Sequence, residues 1–352
     1  MDFNIGKVEC GEDKIVLLAE AGVNHNGDLA LAERLISEAS NSGAHIIKFQ
    51  TYKAEDLVVK NSQRFWKWEG EVKKKGTQFD SYKKLDVFNK KEYEILASMC
   101  KKYQIEFMST PFSEEAAEIL NSIGVNAFKI ASCDITNFPL LSKVASFNKP
   151  ILLSTGASNI NEIKNAISVL TKKNKNLPIC IMQCTLSYPT KYSDANLNCF
   201  NDLKKNFPNY LLGFSDHTLG WHMPLAAMGF GARIIEKHYT VDKNLPLSAD
   251  HWLSIDPNEL KILCKFASDI NEGLGSNFKT KFECENITHK NARRSIVVSK
   301  KIKKNEMFSE ENLKCKRPGI GISPTEYNSI IGKTASRDLE VDDLLTLDDI
   351  SK

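Results

Sequence analysis

The sequence has little net charge and no long hydrophobic run. Its 352 residues carry a formal charge of +3 at pH 7, which is too small to indicate binding to nucleic acid or to an anionic membrane surface. No apolar stretch approaches the length that a bilayer-spanning helix needs. The first residues, Met-Asp-Phe-Asn-Ile-Gly, lack the basic start and apolar core of a signal peptide. We therefore expect a cytoplasmic protein with no nucleic acid or membrane partner.

Two classes of motif are also absent. The nine cysteines form no Cys-x-x-Cys framework, and several lie within apolar runs, including Cys180, Cys184 and Cys264. We expect reduced and mostly buried thiols, which fits a cytoplasmic protein. No Gly-x-Gly-x-x-Gly follows the first apolar run, and this argues against a dinucleotide-binding fold.

The sequence does contain a regular alternation of apolar runs and helical patterns from residue 14 onward. The apolar runs predict eight buried strands. They are Lys14–Gly22, His45–Thr51, Ile105–Pro111, Ala127–Asp134, Pro150–Gly156, Pro178–Thr185, Tyr210–Thr218 and Ala232–Thr240. Strict alternation implies parallel strands joined by right-handed helical crossovers. Eight such units suit a closed (β/α)8 barrel better than an open doubly wound sheet.

The pattern changes after the last predicted helix of the barrel. We assign residues 1–275 to the barrel domain and the polar residues 276–289 to a linker. Residues 290–352 contain short β-like pieces separated by single helical turns. A segment of this size has only a thin core, so we expect it to be a small domain that docks on something larger.

Polar and charged residues cluster at the C-terminal ends of the predicted strands, which is where barrels of this type carry out chemistry. These residues are Glu20, Lys48, Gln50, Thr110, Lys129, Ser132, Asp134, Ser154, Thr155, Thr185, Ser215, His217, Glu236 and His238. A charged residue within a barrel strand needs a partner or a ligand, because unpaired burial is unfavourable. A structural ion pair between Glu20 and Lys48 would meet that need. Two lysines and several hydroxyls around one mouth would equally form an anion pocket for a phosphorylated carboxylic acid.

Two histidines end the last two predicted strands. His217 and His238 are each followed by a hydroxyl-bearing residue, and neighbouring parallel strands would place both imidazoles at the same end of the sheet. Two imidazoles side by side can hold a divalent metal. The alternative is a pair of hydrogen-bonded histidines in the core.

A set of short motifs extends from the first predicted strand to the C-terminal region. They are Glu20-Ala-Gly-Val-Asn-His-Asn-Gly, Ile47-Lys-Phe-Gln-Thr, Ser109-Thr-Pro-Phe, Phe128-Lys-Ile-Ala-Ser, Leu153-Ser-Thr-Gly, Ser187-Tyr-Pro-Thr, Ser215-Asp-His-Thr, Glu236-Lys-His-Tyr-Thr and Lys316-Arg-Pro-Gly. In combination they resemble the sialic acid synthase (NeuB) family. The resemblance implies a (β/α)8 TIM barrel followed by an antifreeze-like (SAF, β-clip) domain. It also implies an enzyme that condenses phosphoenolpyruvate with an N-acetylated hexosamine to a nine-carbon 2-keto-3-deoxy sugar acid.

The resemblance further implies roles for individual residues. His217 and His238 would hold Mn2+ or Mg2+, and Glu20 would act beside the metal and the reacting centre. Phosphoenolpyruvate would be held by Lys48, Thr110, Lys129, Ser132, Ser154 and Ser215. The sugar would be held by Gln50, Tyr188, Asp250 and Arg317, the last entering from the partner chain of a homodimer with swapped C-terminal domains.

The sequence departs from the family pattern at three positions. Leu186 and Ser187 stand where the neuraminate branch has Asn and Ile, and Asp134 replaces a family Glu. The first departure puts one phosphate hydrogen bond in question, and the second shortens the reach of a carboxylate.

The sequence leaves the acceptor sugar and two other functions open. The acceptor is N-acetylmannosamine, a diacetamido hexose leading to legionaminic or pseudaminic acid, or something shorter. Aromatic residues after the second predicted strand either stack on a sugar face or form the core of a long loop. They are Trp66, Trp68, Phe79 and Tyr82. A metal-dependent sugar isomerase or epimerase on the same barrel, or a non-catalytic carbohydrate-binding protein, would also fit the pattern.

Overall fold

A computed structural model describes residues 2–64 and 76–351 of the chain. The chain divides into two compact units, Met1–Gly275 and Ser276–Lys352. Trp66 and Trp68 lie outside the described residues. Within the described ranges, no helix is both long enough and apolar enough to cross a membrane.

The first unit is built on eight parallel strands, and all eight predicted strands are confirmed. The strands are β3 (Val16–Gly22), β4 (Ile46–Thr51), β5 (Glu106–Pro111), β6 (Phe128–Ile130), β7 (Ile151–Ser154), β8 (Ile179–Cys184), β9 (Leu211–Asp216) and β10 (Ile234–His238). Their order in the sheet is β5-β4-β3-β10-β9-β8-β7-β6. The two edge strands, β5 and β6, lie next to each other, so the sheet curls into a near-closed (β/α)8 barrel.

Helices connect the strands and cover the outside of the barrel. They are α1 (Leu29–Asn41), α2 (Ala54–Leu57), α3 (Gln78–Lys83), α4 (Lys90–Lys102), α5 (Glu114–Ile123), α6 (Phe138–Ala145), α7 (Ile160–Leu170), α8 (Cys199–Asn206), α9 (His222–Gly229) and α10 (Pro257–Leu274). Side-chain caps fix where several of them begin. Asp28 accepts the backbone N–H of Ala30 at the start of α1, and Asp256 with Glu259 forms a capping box before α10. Such caps satisfy N–H groups that lack a partner in the first turn.

The interior of the barrel is filled at the N-terminal ends of the strands. Side chains such as Val16, Ile46 and Ile234 form one buried cluster there. A short antiparallel hairpin, β1 (Phe3–Ile5) and β2 (Val8–Cys10), packs into the same cluster and closes this end of the barrel. The sequence did not predict this hairpin. Residues two apart in a strand share a face. Polar side chains further along the same strands therefore also point into the barrel, at its C-terminal end.

The second unit is a small domain with its own core. Strands β11 (Ser295–Val298) and β12 (Leu313–Lys316) pair antiparallel, and a short helix α12 (Tyr327–Ile330) follows. The core is made of Ile296, Val298, Ile302, Phe308, Leu313, Ile322, Ile330, Ala335, Leu339 and Leu345. Helix α11 (Asn286–Ala292) begins inside the stretch that the sequence analysis assigned to a linker.

Candidate active site

The C-terminal ends of the barrel strands bring the predicted charged residues together. Glu20 on β3 pairs in register with Lys48 on β4 and with His238 on β10. All three side chains are buried. The three residues lie on adjacent strands, although Glu20 and His238 are more than 200 positions apart in the chain.

Lys48 is the centre of a buried polar network. Its Nζ lies 2.6 Å from Glu20 Oε2 and donates to Thr110 Oγ1 at 3.0 Å. Gln50 Nε2 donates to Glu20 Oε1 at 3.2 Å. The ion pair between Glu20 and Lys48, one of the two interpretations of the sequence, is therefore present. It does not account for the second lysine of the mouth.

A second carboxylate, Glu236, lies within ion-pair distance of both lysines. Lys129 Nζ lies 3.4 Å from Glu236 Oε2, and Lys48 Nζ lies 3.6 Å from Glu236 Oε1. Ser215 Oγ donates to Glu236 Oε1 at 3.2 Å. The sequence analysis assigned no role to Glu236, although its position two residues before His238 predicts the same inward-facing side of β10.

The two carboxylates have opposite pKa shifts. Burial raises the pKa of Glu20 to about 7, against the opposing charge of Lys48. Burial also acts to raise the pKa of Glu236, but Lys129 and Lys48 outweigh this and hold it below its usual value. For Lys48, burial disfavours the charge, yet Glu20 and Glu236 keep its pKa above the ordinary value. At neutral pH Glu236 is ionised, whereas Glu20 is close to its titration midpoint.

The two predicted metal ligands face each other at the mouth. The ring centroids of His217 and His238 are 5.3 Å apart. His217 Nδ1 lies 2.9 Å from the carbonyl oxygen of Thr185, so Nδ1 carries the proton and Nε2 is left as a metal-binding atom. His238 Nδ1 is buried without a hydrogen bond and has Asp250 Oδ2 at 3.7 Å. Burial holds the pKa of His238 well below its usual range, which favours the neutral form that binds metals.

These donors fit a cation that keeps some of its water. Within residues 2–64 and 76–351, no group of three or more His, Cys, Asp and Glu side chains converges as a ligand set. The protein would therefore supply two imidazole nitrogens, and water or substrate oxygens would complete the coordination. Imidazole donors suit Mn2+ better than Mg2+, because Mg2+ strongly prefers oxygen ligands.

The serines predicted to bind phosphoenolpyruvate differ in their hydrogen bonds within the protein. Ser154 Oγ is buried and has no hydrogen-bond partner. Ser132 Oγ accepts the backbone N–H of Gly156 at 2.9 Å, so it can still donate its own proton. A buried hydroxyl without a partner is uncommon, and Ser154 is thus the clearest position at which a polar ligand would be bound.

Of the residues predicted to contact the sugar, Gln50 lies on β4, Tyr188 and Asp250 lie on loops of the barrel, and Arg317 belongs to the second unit. The ring of Tyr188 packs against His217 with centroids 4.1 Å apart. Asp250 lies in the loop after β10, where burial raises its pKa to about 6. Arg317 directly follows β12. Leu186, one of the positions that depart from the family pattern, has 41% of its surface exposed.

Two further residues singled out in the sequence, Asp134 and Tyr82, lie in short helical segments after the strands. Asp134 accepts a hydrogen bond from Asn137 Nδ2 at 3.2 Å. The ring of Tyr82 packs edge-on against Tyr52, with centroids 5.6 Å apart, in a cluster with Leu85. That packing favours the loop-core interpretation for Tyr82, one of the aromatic residues left open by the sequence.

Comparisons with known proteins agree with this geometry. A model of the NeuB family matches residues 35–279, and a SAF domain model matches residues 293–351. The chain is 41% identical to the N,N'-diacetyllegionaminic acid synthase of Campylobacter jejuni, over 94% of this chain and 99% of that protein. It is 39% identical to the protein of the same name from Legionella pneumophila, over 92% of this chain and 91% of that protein.

Solved structures also resemble the chain over most of its length. The crystal structure of N-acetylneuraminic acid (sialic acid) synthetase from Leptospira borgpetersenii, in complex with citrate, matches with a TM-score of 0.72. The sequences are 37% identical, and the match covers 82% of this chain and 95% of that one.

Proposed function

Because this chain belongs to the NeuB family of acid synthases, we propose that it condenses phosphoenolpyruvate with an N-acetylated hexosamine. The products are inorganic phosphate and a nine-carbon 2-keto-3-deoxy sugar acid. The observation that supports this most directly is the mouth of the barrel. Two buried lysines and the unpartnered hydroxyl of Ser154 lie there with the pair of histidines.

The lysines would bind and orient phosphoenolpyruvate. Lys48 and Lys129 face the substrate carboxylate and phosphate, and the Ser154 hydroxyl donates to one of their oxygens. The remaining hydroxyls of this subsite are those of Thr110, Ser132 and Ser215. Fixed donors in a site that excludes water stabilise charge that develops in the transition state without further reorganisation.

Binding of this anion would release Glu20 for chemistry. In the protein alone, Lys48 Nζ contacts Glu20 Oε2 at 2.6 Å. An incoming phosphate or carboxylate draws Lys48 toward itself and leaves that oxygen open to a water molecule. A carboxylate whose pKa is about 7 is well matched to take a proton at neutral pH.

A divalent cation held by His217 and His238, Mn2+ in preference to Mg2+, would supply Lewis acidity toward the aldehyde oxygen of the open-chain sugar. Gln50, Tyr188 and Asp250 orient the sugar hydroxyls around that aldehyde. Holding the two reacting carbons close together and correctly oriented lowers the entropic part of the activation free energy.

C3 of phosphoenolpyruvate forms a bond with the aldehyde carbon, which leaves a cation at C2 and an alkoxide at the former aldehyde oxygen. Water adds to C2, and the proton that it loses passes by way of Glu20 to the alkoxide, which becomes a hydroxyl. The bond between C2 and the bridging oxygen then breaks. Phosphate leaves with that oxygen and with the remaining proton of the added water, and C2 becomes the keto group.

We propose a diacetamido hexose as the acceptor. The relatives at 41% and 39% identity are named for an N,N'-diacetyl product. Removing the three carbons of phosphoenolpyruvate from a nine-carbon acid leaves a six-carbon sugar with both acetamido groups.

We also propose that a second copy of the chain completes the site. Arg317 of that copy would hold an acyl group of the sugar. The segment after Gly275 leaves Phe278, Phe282 and Ile287 more than half exposed. Apolar side chains of this kind favour burial in an interface between copies.

The test is an assay of purified protein with phosphoenolpyruvate and a panel of N-acylated hexoses. We expect phosphate release that requires both substrates, is fastest with a diacetamido hexose, stops with a chelator and returns with Mn2+. Isomerisation of a free sugar without phosphate release would instead identify an isomerase.

A further inference from the structure

The loop that carries Asp250 is anchored by a buried histidine with no role in the reaction described above. His251 is 1% exposed. Its Nδ1 lies 2.8 Å from Thr240 Oγ1, where the loop begins. Its Nε2 lies 3.1 Å from Asn26 Oδ1, in the loop after β3. One imidazole therefore ties the Asp250 loop both to its own start and to a neighbouring loop.

A second anchor holds the backbone of Asp250 from the other side. Ser254 Oγ donates to the carbonyl oxygen of Asp250 at 2.6 Å. Asn24 Nδ2 donates to Ser254 Oγ at 3.3 Å and to the carbonyl oxygen of Tyr239 at 2.9 Å. Asn24 and Asn26 thus reach the same loop from alternate positions of the motif that follows Glu20.

The carboxylate of Asp250 depends on these anchors for its position. Among the described residues, no hydrogen bond reaches its oxygens, and one of them lies 3.7 Å from His238 Nδ1. Its direction is therefore set by the backbone on either side of it, which His251 and Ser254 hold. A displacement of about 1 Å at a substrate-positioning group can reduce a rate about 100-fold.

We propose that His251, acting with Thr240 and Asn26, is a positioning residue that sets the Asp250 carboxylate against the acceptor sugar and so governs recognition of that sugar. The inference rests on the proposed function for the identity of the substrate. It goes beyond that function, because it assigns a role to His251, Thr240 and Asn26, to which the proposed reaction gives none.

The hydrogen bonds specify which substitutions test this role. A neutral imidazole donates from only one ring nitrogen, so Thr240 and Asn26 must supply complementary groups. His251→Leu removes both bonds. His251→Asn keeps a polar group near the Nδ1 position, His251→Gln keeps one near the Nε2 position, and Thr240→Val removes only the hydroxyl.

The experiment measures KM for the sugar, KM for phosphoenolpyruvate and kcat in each variant. For His251→Leu we expect kcat/KM for the diacetamido hexose to fall about 10- to 100-fold, with KM for phosphoenolpyruvate within about twofold of wild type. At least one of His251→Asn and His251→Gln should recover most of the loss. Equal losses for both substrates, or no loss in a folded variant, would overturn the proposal.

His25→Leu is the matched control. His25 is also a buried imidazole, but it stacks on Phe88 at 4.2 Å, and within the described part of the chain it accepts only the nearby N–H of Gly27. Its loss should lower stability without raising KM for the sugar. A rise equal to that of His251→Leu would mean that any buried histidine has this effect, and the proposal would fail.

Thr240→Val decides the question if His251→Leu does not fold. Amide hydrogen exchange of residues 250–255 provides a readout that needs no substrate and excludes Asp242, whose backbone also forms hydrogen bonds with the Thr240 hydroxyl. We expect exchange at residues 250–255 to be at least about tenfold faster in Thr240→Val; an unchanged rate would overturn the proposal. If wild-type protein makes no product with any sugar, the proposed function fails. The exchange result still decides whether the hydrogen bond between Thr240 and His251 holds the Asp250 loop in place.

Discussion

At the scale of single residues, the mouth of the barrel is organised by two carboxylates with different charge states. Glu236 is paired with two lysines and stays ionised, whereas burial leaves Glu20 with a pKa of about 7. Neighbouring titratable groups whose pKa values are driven apart are typical of sites that perform acid–base chemistry. Glu236 is suited to holding the lysines, and Glu20 to moving a proton.

Replacing Glu20 should remove one limb of the pH profile. Below about pH 7 the carboxyl of the free enzyme is protonated, so kcat/KM should rise with pH through that value. Glu20→Gln should lower kcat/KM about 100- to 10,000-fold and flatten this limb, while phosphoenolpyruvate binding stays nearly intact. The measurement is kcat/KM against pH together with substrate affinity by calorimetry. An unchanged acidic limb in the variant would assign the proton transfer to another group.

Replacing His217 should abolish metal-dependent turnover. The His217→Ala variant loses one of the two proposed imidazole ligands, so we expect at least about a tenfold loss of Mn2+ affinity and no activity restored by added metal. His222→Ala is the control, because His222 is an exposed imidazole that packs against Tyr192 at 4.8 Å. Full activity in His217→Ala would refute the metal assignment.

The sequence predicted which residue types meet at the mouth but not how their charges are shared. Periodicity puts Glu20, Lys48 and Glu236 on inward-facing positions of their strands. Whether Lys48 pairs with one carboxylate or with two depends on whether its side chain also reaches Glu236, which lies two strands away on β10. Strand periodicity does not specify that reach.

At the scale of elements, strands β9 and β10 are braced on their outer side by a buried ion pair. Lys237 Nζ lies 2.6 Å from Asp216 Oδ2, and both side chains are 1% exposed. Asp216 also accepts the backbone N–H of Thr218 at 2.9 Å. Each residue precedes one of the two histidines, so the brace stabilises the strand ends that present the imidazoles.

Breaking this pair should destabilise the barrel strongly. Lys237→Met leaves a buried carboxylate without its cation, and we expect the free energy of unfolding to fall by about 3–5 kcal/mol. The measurement is denaturant-induced unfolding. The control is Lys90→Met, which removes a half-exposed ion pair with Glu94 and should cost less than about 1 kcal/mol. Equal losses of unfolding free energy in the two variants would contradict a special stabilising role for the Asp216–Lys237 ion pair.

The eight barrel strands were predictable because each lies in an apolar run that alternates regularly with a helical pattern. The N-terminal hairpin Phe3–Cys10 was not, because its two three-residue strands lie outside that alternation. Its place is fixed by packing at the bottom of the barrel, where Phe3 and Ile5 join the interior cluster. Tertiary burial overrides local propensity at this position.

At the scale of the whole molecule, the chain combines a large barrel with a small domain of different character. The sequence predicted this division because the strand–helix alternation ends before residue 290 and short β-like pieces replace it. What the sequence could not supply is the course of the loop that carries Asp250, because that course is set by contacts such as the one between His251 and Asn26.

Mixing two inactive variants should test whether the site is shared between copies. Arg317→Ala disables the small domain, and Lys129→Ala disables the barrel. After denaturation and refolding together, one intact site forms in each mixed dimer, so we expect about a quarter of wild-type activity. Each variant refolded alone is the control. A mixture no more active than its components would exclude the shared site.

The reaction itself is tested most directly by labelling the bridging oxygen of phosphoenolpyruvate with 18O. The purified enzyme is incubated with this substrate, a diacetamido hexose and Mn2+, and both products are analysed by mass spectrometry. If phosphate leaves by cleavage of the bond between C2 and oxygen, the label appears in the phosphate and the sugar acid is unlabelled. Label retained in the sugar acid, or no sugar acid formed with any acceptor of the panel, would contradict the account.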